Sequence, residues 1–295
     1  MVCMKRKAAC IILSLAMILL SACGTTSRPS NQTATPAGET TENKAILGVI
    51  EVKGGEMLER DIIPQLSKVF SMSEQQVKDT LAASGSSTLI GSKATGFRRM
   101  EGIIPPGKYE IAEGSTLDEN VAIWIAAAEK RYSTLLPSST KPNDLDPAEQ
   151  LALASMVEAE CLGGAHNEEV ATVFLNRLKD GSKLQSCVTA EYALGYQRPF
   201  LTTDDISVES DYNTYYVKGL PAGPICSVSD ASLKAAMGQG NGSNIYYFYY
   251  DYVLNDMFFF SDYSEFQQGC KASSQRFEES SKVGRHDKIN KQVLY

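Results

Sequence analysis

The chain has 295 residues, 43% of them hydrophobic, and a formal charge of −7, which is enough length to bury a core without metal or disulfide staples. Residues 1–22 hold Lys5, Arg6 and Lys7 and no acid, so the remainder carries −10; that argues against a nucleic-acid binder, which must neutralise phosphates. The only two histidines, His166 and His286, are far apart and no HExxH or CxxC spacing occurs, so neither a metal site nor a cofactor is expected.

Lys5-Arg6-Lys7 precedes an apolar run of 13 residues, Ala8 to Leu20. A membrane span needs about 20 residues, so the run reads as a secretory signal. Leu20-Ser21-Ala22-Cys23 resembles a bacterial lipobox, which implies cleavage before Cys23 and lipidation of that residue. Several acyl chains on one residue anchor stably where one chain is marginal. An uncleaved anchor and an ordinary signal peptide are the alternatives. Gly24 to Lys44 is rich in Thr, Ser and Pro with almost no large apolar residue, so it reads as a tether spanning about 25 Å as a random coil. The expected location is the cell membrane, lipid-anchored, on its extracytoplasmic face. The expected division is 1–22 signal peptide, 23–44 lipidated Cys and tether, 45–140 a small α/β region, and 141–295 an α+β domain.

Ile46 to Val52 is β-branched and ends at Gly54-Gly55, the pattern of a strand. Met57 to Phe70 has helical spacing, interrupted by Pro64. Ser71 or Ser73 before Glu74 and Gln76 forms a capping-box pattern for a helix to Ala83. Ile103 to Ile111 reads as a turn into a strand, and Leu117 to Leu135 as a helix with Val121, Ile125, Ala128 and Tyr132 on one stripe. Asp146, Pro147 and Glu149 open the clearest helix. Another is expected from Glu168 to Asp180, capped by Asn167 and ended by Gly181. Loops and short strands follow, then aromatic strands at Ile245–Leu254 and Met257–Ser261 around an Asn255-Asp256 turn. A polar helix closes the chain from Ser264. The mixture predicts an α+β fold.

The run LALASMVEAE at 151–160 ends in two acids. Helical residues two apart differ by about 200°, so Glu158 and Glu160 point apart. Glu160 continues the stripe Leu153, Met156, Val157, whereas Glu158 follows Leu151, Ala154 and Ser155. The spacing therefore puts Glu160 on the more apolar side. A carboxyl there loses hydration and holds its proton more tightly, as a general acid requires. A helix-end acid paired to an arginine, or simply exposed, is the competing reading. No GxSxG elbow, P-loop or GxGxxG pattern occurs. Four cysteines follow Cys23, namely Cys161, Cys187, Cys226 and Cys270, and they allow three disulfide pairings.

LALASMVEAE at 151–160, VATVFLNRLKDGSKLQS at 170–186, YNTYYVKGLPAGPI at 212–225, SLKAAM, and IYYFYYD resemble, in order and spacing, the bacterial endolytic murein transglycosylases of the MltG/YceG type. The similarity covers about Leu145 to Phe266, with a weaker match in MEGIIPPGKYEI at 100–111. The resemblance implies a YceG-like catalytic domain, preceded by a region that is LysM-like at most in part. It implies a peptidoglycan lyase that cuts the β-1,4 bond between N-acetylmuramic acid and N-acetylglucosamine within glycan strands. The muramyl 6-hydroxyl attacks its own anomeric carbon and leaves a 1,6-anhydro end. The family's catalytic Glu, the second acid of V-E-x-E, falls on Glu160. One carboxyl serves as acid and then base, because the nucleophile is already tethered to the substrate. Gln185, Asn213 and Tyr215 match positions expected to bind sugar or orient the Glu, whereas Asn176 and Arg177 have a structural alternative. The resemblance makes peptidoglycan glycan strands and the membrane the partners, with cell-wall synthases as further candidates. Two departures stand out. Glu158-Ala159-Glu160-Cys161 replaces E-K-E-T, and Gln185-Ser186-Cys187-Val188-Thr189 replaces Q-S-D-P-T. Cysteines at both departing sites suggest a Cys161–Cys187 disulfide. A cell-wall-binding or scaffold lipoprotein that keeps the fold without turnover is the alternative function.

Overall fold

The computed structural model describes residues 45–135, 142–161, 165–197, 201–238 and 240–282. The expected signal peptide, Cys23 and tether lie outside the described residues. Strand β1 (Ile46–Val52) pairs antiparallel with β2 (Gly107–Ala112), with Val49 opposite Glu110 and Glu51 opposite Lys108. Ile50, Val52 and Ile111 face inward and are buried. Helices α1 (Ile63–Phe70) and α2 (Glu74–Ala83) lie between the strands in sequence. Pro64 does not break the Met57–Phe70 segment as expected. It sits in the first turn of α1, where its missing N–H costs no helical bond, and one π-helical turn at Leu58–Ile62 leads in. Ser73 and Gln76 form the capping box of α2. Helix α3 (Leu117–Leu135) has the expected limits and buries Val121, Trp124, Ile125 and Ala128.

The second half contains α4 (Pro147–Glu160), α5 (Asn167–Lys179), α6 (Cys187–Leu194), the single turn α7 (Thr203–Ile206), α8 (Asp230–Met237) and α9 (Tyr263–Lys282). Strands β3 (Tyr247–Asp251) and β4 (Asp256–Phe260) form a second two-stranded antiparallel sheet. Asp146 and Glu149 cap α4 reciprocally, each accepting the other's backbone N–H at 2.9 Å. The start of α5 differs from expectation. His166, with a left-handed φ of 66°, occupies the cap, and Asn167 is the first helical residue. Where only loops and strands were expected, α6 and α8 form, both eight residues long; α6 has no exposed residue to betray a helical period, whereas α8 exposes only Asp230, Ala231 and Lys234. One buried apolar cluster runs from Ile50 and Trp124 through Leu153 and Phe174 to Tyr252 and Phe277. The architecture is α+β. No helix among the described residues is long and apolar enough to cross a membrane.

Several contacts join the N-terminal portion to the segments behind it, among them the pairing of Arg131 with Asp230 and the three described next. Gly55 and Ser227 exchange backbone bonds, Gly55 N–H to Ser227 C=O at 2.8 Å and Ser227 N–H to Glu56 C=O at 2.7 Å. Glu158, 8% exposed, accepts the Ser229 N–H at 3.0 Å and the Ser229 hydroxyl at the start of α8. A Cβ on Gly54 would lie 2.3 Å from the other Glu158 carboxyl oxygen. Glu101, 1% exposed, accepts the Leu58 N–H at 2.9 Å and the Tyr192 hydroxyl at 2.9 Å. Burial outweighs these donors and raises the Glu101 pKa from 4.5 to about 7.

Two predictions follow from this joint. Between pH 4.5 and 7 the unfolded chain ionises Glu101 while the folded chain keeps it protonated. The stability that Glu101 contributes is therefore complete below pH 4.5 and falls as pH rises to about 7, by on the order of 3 kcal/mol. Urea unfolding at pH 5 and pH 7.5 should show that loss in the wild type and a much flatter profile in Glu101→Gln. At the Glu158 contact, Glu158→Gln should cost about 1–3 kcal/mol, because a buried charged acceptor is lost from a helix N-terminus. Gly54→Ala should destabilise as well. The two changes should be strongly non-additive in a double-mutant cycle, and additive values would mean that the two residues do not touch in solution.

Candidate active site

Helix α4 is buried all round from Gln150 to Glu158. The stripe argument therefore ranks the two acids the wrong way. Glu158 is the more buried, and Glu160, the last residue of the helix, is half-buried. Their opposite directions hold. Glu158 goes to the start of α8, and Glu160 meets Ser186 at the start of α6, where the Ser186 hydroxyl donates to Glu160 Oε1 at 2.7 Å.

Ser186 occupies the N-cap of α6, yet its side chain makes no capping bond. A serine cap is typically worth about 1 kcal/mol, so its hydroxyl serves Glu160 at the expense of the helix. The serine is fixed from below. Its N–H donates to Thr214 Oγ1 at 3.0 Å, its C=O accepts the Thr189 hydroxyl at 2.6 Å, and the two threonine hydroxyls lie 2.8 Å apart. Ser186 is 3% exposed and both threonines are fully buried. The sequence reading missed Ser186, Thr189 and Thr214. No sequence signal marked them, because α6, whose start Ser186 caps in position, shows no helical period in the sequence.

Gln185 has an exposed side chain beside Ser186, and its backbone takes a left-handed φ of 48°. It is presented to solvent at the edge of the site. Asn213 is not. It is 0% exposed, its amide donates to the carbonyls of Ile206 at 3.0 Å and Val208 at 2.8 Å, and its Oδ1 accepts the Tyr215 N–H at 3.0 Å. Its amide is spent on shaping the 206–215 loop, which corrects the expectation of a sugar contact. Tyr215 is half-buried, and burial together with Cys187 and Glu160 raises its hydroxyl pKa.

Cys161 and Cys187 are both buried and no disulfide joins them, which corrects the expected pairing. Cys187 Sγ instead lies 3.1 Å from the Tyr215 hydroxyl. Burial pushes its thiol up to about 12, so the thiol stays protonated at neutral pH. Arg177 is structural in its bonding. Its Nε donates to the Tyr246 C=O at 2.7 Å, and another guanidinium nitrogen donates to the Leu184 C=O. Burial lowers its pKa, while Tyr247, Tyr215 and Glu160 oppose that shift. Asn176 likewise holds the carbonyls of Ser243 and Ile245. Tyr252, from the turn between β3 and β4, brings a buried hydroxyl with no hydrogen-bond partner into the field of Glu160 and Glu191. The 219–225 loop packs on the N-terminal portion, since a Cβ on Gly91 would lie 2.7 Å from the Ala222 C=O. Among the described residues no cluster of His, Cys, Asp and Glu could hold a metal ion. The site offers one half-buried carboxyl with a neutral hydroxyl donor, suited to moving a proton.

An endolytic murein transglycosylase of Streptococcus pneumoniae is 35% identical over 164 residues, covering 52% of this chain and 29% of that protein. One of Bacillus subtilis is 30% identical over 148 residues, covering 50% of this chain and 41% of that protein. The matches thus span well under half the length of these curated relatives. A YceG-like protein of Listeria monocytogenes has the same fold, with a TM-score of 0.65 at 22% identity over 75% of each chain. The profile of the YceG-like family matches residues 36–272, and with most of its length inside that match the chain belongs to the YceG-like family.

Proposed function

We propose that the chain is a peptidoglycan lytic transglycosylase with Glu160 as its acid and base. The observation that carries this reading is the Ser186–Glu160 hydrogen bond of 2.7 Å, made by a serine that gives up its own helix cap to form it. The murein transglycosylase names of the relatives support the substrate class. In the first step Glu160 gives its proton to the glycosidic oxygen as the bond from the muramyl C1 breaks. The muramyl O6 bonds to C1, and its proton passes to the Glu160 carboxylate. No water is consumed, and the product ends in 1,6-anhydro-N-acetylmuramic acid. A hydrolase would need a second carboxylate to activate water or to attack the sugar. The position where the family pattern has Asp holds Cys187, a thiol that stays protonated and offers no base. The tethered O6 makes a second base unnecessary. In this reading the exposed Gln185 is the residue that meets the sugar.

In the same reading residues 45–140 and 141–295 work as an N-terminal region and a catalytic domain. Lipidated Cys23 holds both at the extracytoplasmic face of the cell membrane. Fatty-acid labelling of cells expressing the wild type should be lost in Cys23→Ser, and equal labelling of the two would overturn the anchor.

The catalytic assignment is tested by the yield of anhydromuramyl ends from purified peptidoglycan at equal folded concentration. Glu160→Gln should lose at least 10²–10⁴-fold, the typical worth of general acid–base catalysis. Ser186→Ala should lower kcat about 10- to 100-fold with KM little changed, since a hydrogen bond to a charged group is lost; Ser186→Thr should recover most of it. Glu158→Gln should stay within a few-fold. Activity of Glu160→Gln within a few-fold of wild type would refute the assignment. A wild type that releases no product from any peptidoglycan would leave the scaffold reading.

A further inference from the structure

A cavity of about 370 Å³ opens where the N-terminal portion meets the far end of α6. Met57, Arg60 and Arg98 line it from one side, and Glu191, Tyr192 and Tyr196 from the other. Helix α6 ties this cavity to the candidate active site. Its start, with Ser186, sits beside Glu160, and its Glu191 and Tyr192 form part of the cavity wall. Five or six residues at 1.5 Å each place the two about 8–9 Å apart along the helix. Glu191 lines the cavity and also acts on Tyr252, which lies in the field of Glu160.

The charged groups in the wall are not equivalent. Arg60 is committed to Asp61, with contacts of 2.8–3.0 Å from two guanidinium nitrogens. Arg98 meets Glu59 only at 3.4 Å, through Nη2, and Lys78 holds that same carboxylate more closely, at 2.6 Å. The Arg98 guanidinium lies over the Tyr192 ring at 5.3 Å from the centroid and near Phe97 at 5.9 Å. Two rings thus set the plane of a cation whose five donors exceed what one long contact uses. A planar, oriented guanidinium at a cavity wall is built for a carboxylate.

We propose that this cavity is a subsite for the carboxylate-bearing peptide branch of the muramyl residue whose bond is cut, with Arg98 as the carboxylate-binding residue. The proposal rests on the peptidoglycan reading above. Geometry supports this occupant. The peptide leaves the same sugar that carries the reacting C1, and about 8–9 Å is the reach of two or three extended residues at roughly 3.5 Å each. Tyr192 and Tyr196 supply apolar surface for the short aliphatic side chains of such a peptide.

The test uses the full chain and a soluble N-acetylmuramyl peptide with free carboxylates, its binding measured by calorimetry. A second ligand carries carboxamides in their place, so the protein need not be altered. The carboxylate ligand should bind about 10- to 100-fold more tightly than its amide, the range of a charge-assisted hydrogen bond. Arg98→Gln should abolish that difference, and Arg98→Lys should keep part of it. Equal binding of the two ligands by the wild type, or an unchanged preference in Arg98→Gln, overturns the subsite. Release of anhydromuramyl ends from peptide-free glycan strands is followed separately. If those strands are cut and the peptide does not bind, the subsite fails and the enzyme reading stands. If the peptide binds through Arg98 and no glycan is cut, the lyase reading fails and the subsite stands.

Discussion

A helix with no solvent face constrains everything around it. From Gln150 to Glu158, α4 is enclosed by α5, α6, α8, the 222–229 segment and the turn after β1. Its polar groups therefore have to be met from other elements. Ser155 donates to its own helix at Ala152 and accepts the Ile225 N–H at 3.0 Å. Small residues at 152, 154 and 155 let the surrounding backbone come close enough to do this. The only end of α4 that approaches solvent near the site is its C-terminus, so Glu160 emerges there at a place fixed by every element packed on the helix.

The same constraint separates the two acids. The largely buried Glu158 carboxyl is met by the N–H and hydroxyl of Ser229, at the N-terminus of α8, where the helix dipole favours negative charge. Gly54 is a glycine because the carboxylate occupies the space where a side chain would begin. That contact welds the N-terminal portion to α4 and α8. Glu101 makes a second weld, between Leu58 and Tyr192 of α6. The N-terminal portion thereby grips both helices that position the Ser186–Glu160 pair, through carboxyls that take no part in the proposed chemistry.

Much of this was legible where local chemistry decides structure. The capping boxes at Ser73 and Asp146, the limits of α3 and the β1 strand are written in residues a few positions apart. The aromatic hairpin was legible too, with its turn at 252–255 rather than at Asn255-Asp256. What failed depended on long-range burial. The stripe through Leu153 and Val157 misranked Glu158 and Glu160 because a helix buried all round has no polar face to compare. Helix α6, with no exposed residue, was hidden for the same reason. Asn213 looked available because its type suits sugar, but only the folded 206–215 loop reveals that its amide is spent. Cysteines appearing together at two variant positions proved a poor guide to pairing, since Cys187 turns to Tyr215.

The choice of partner for Glu160 bears on what the carboxyl can do. A carboxylate at the C-terminus of its own helix faces the negative end of the dipole and needs a donor. A guanidinium can donate to it but cannot accept a hydrogen bond from the O–H of the acid form, because arginine has no acceptor. Arg177 lies near enough for its charge to be felt, yet its nitrogens are turned to the carbonyls of Tyr246 and Leu184. Among the described residues a serine hydroxyl donates to Glu160, a group that donates to a carboxylate and, by rotating, accepts from a carboxylic acid. Such a partner tolerates both protonation states with little bias. A residue that must first give up a proton and then recover one needs that indifference, and a buried serine locked by Thr189 and Thr214 provides it without moving.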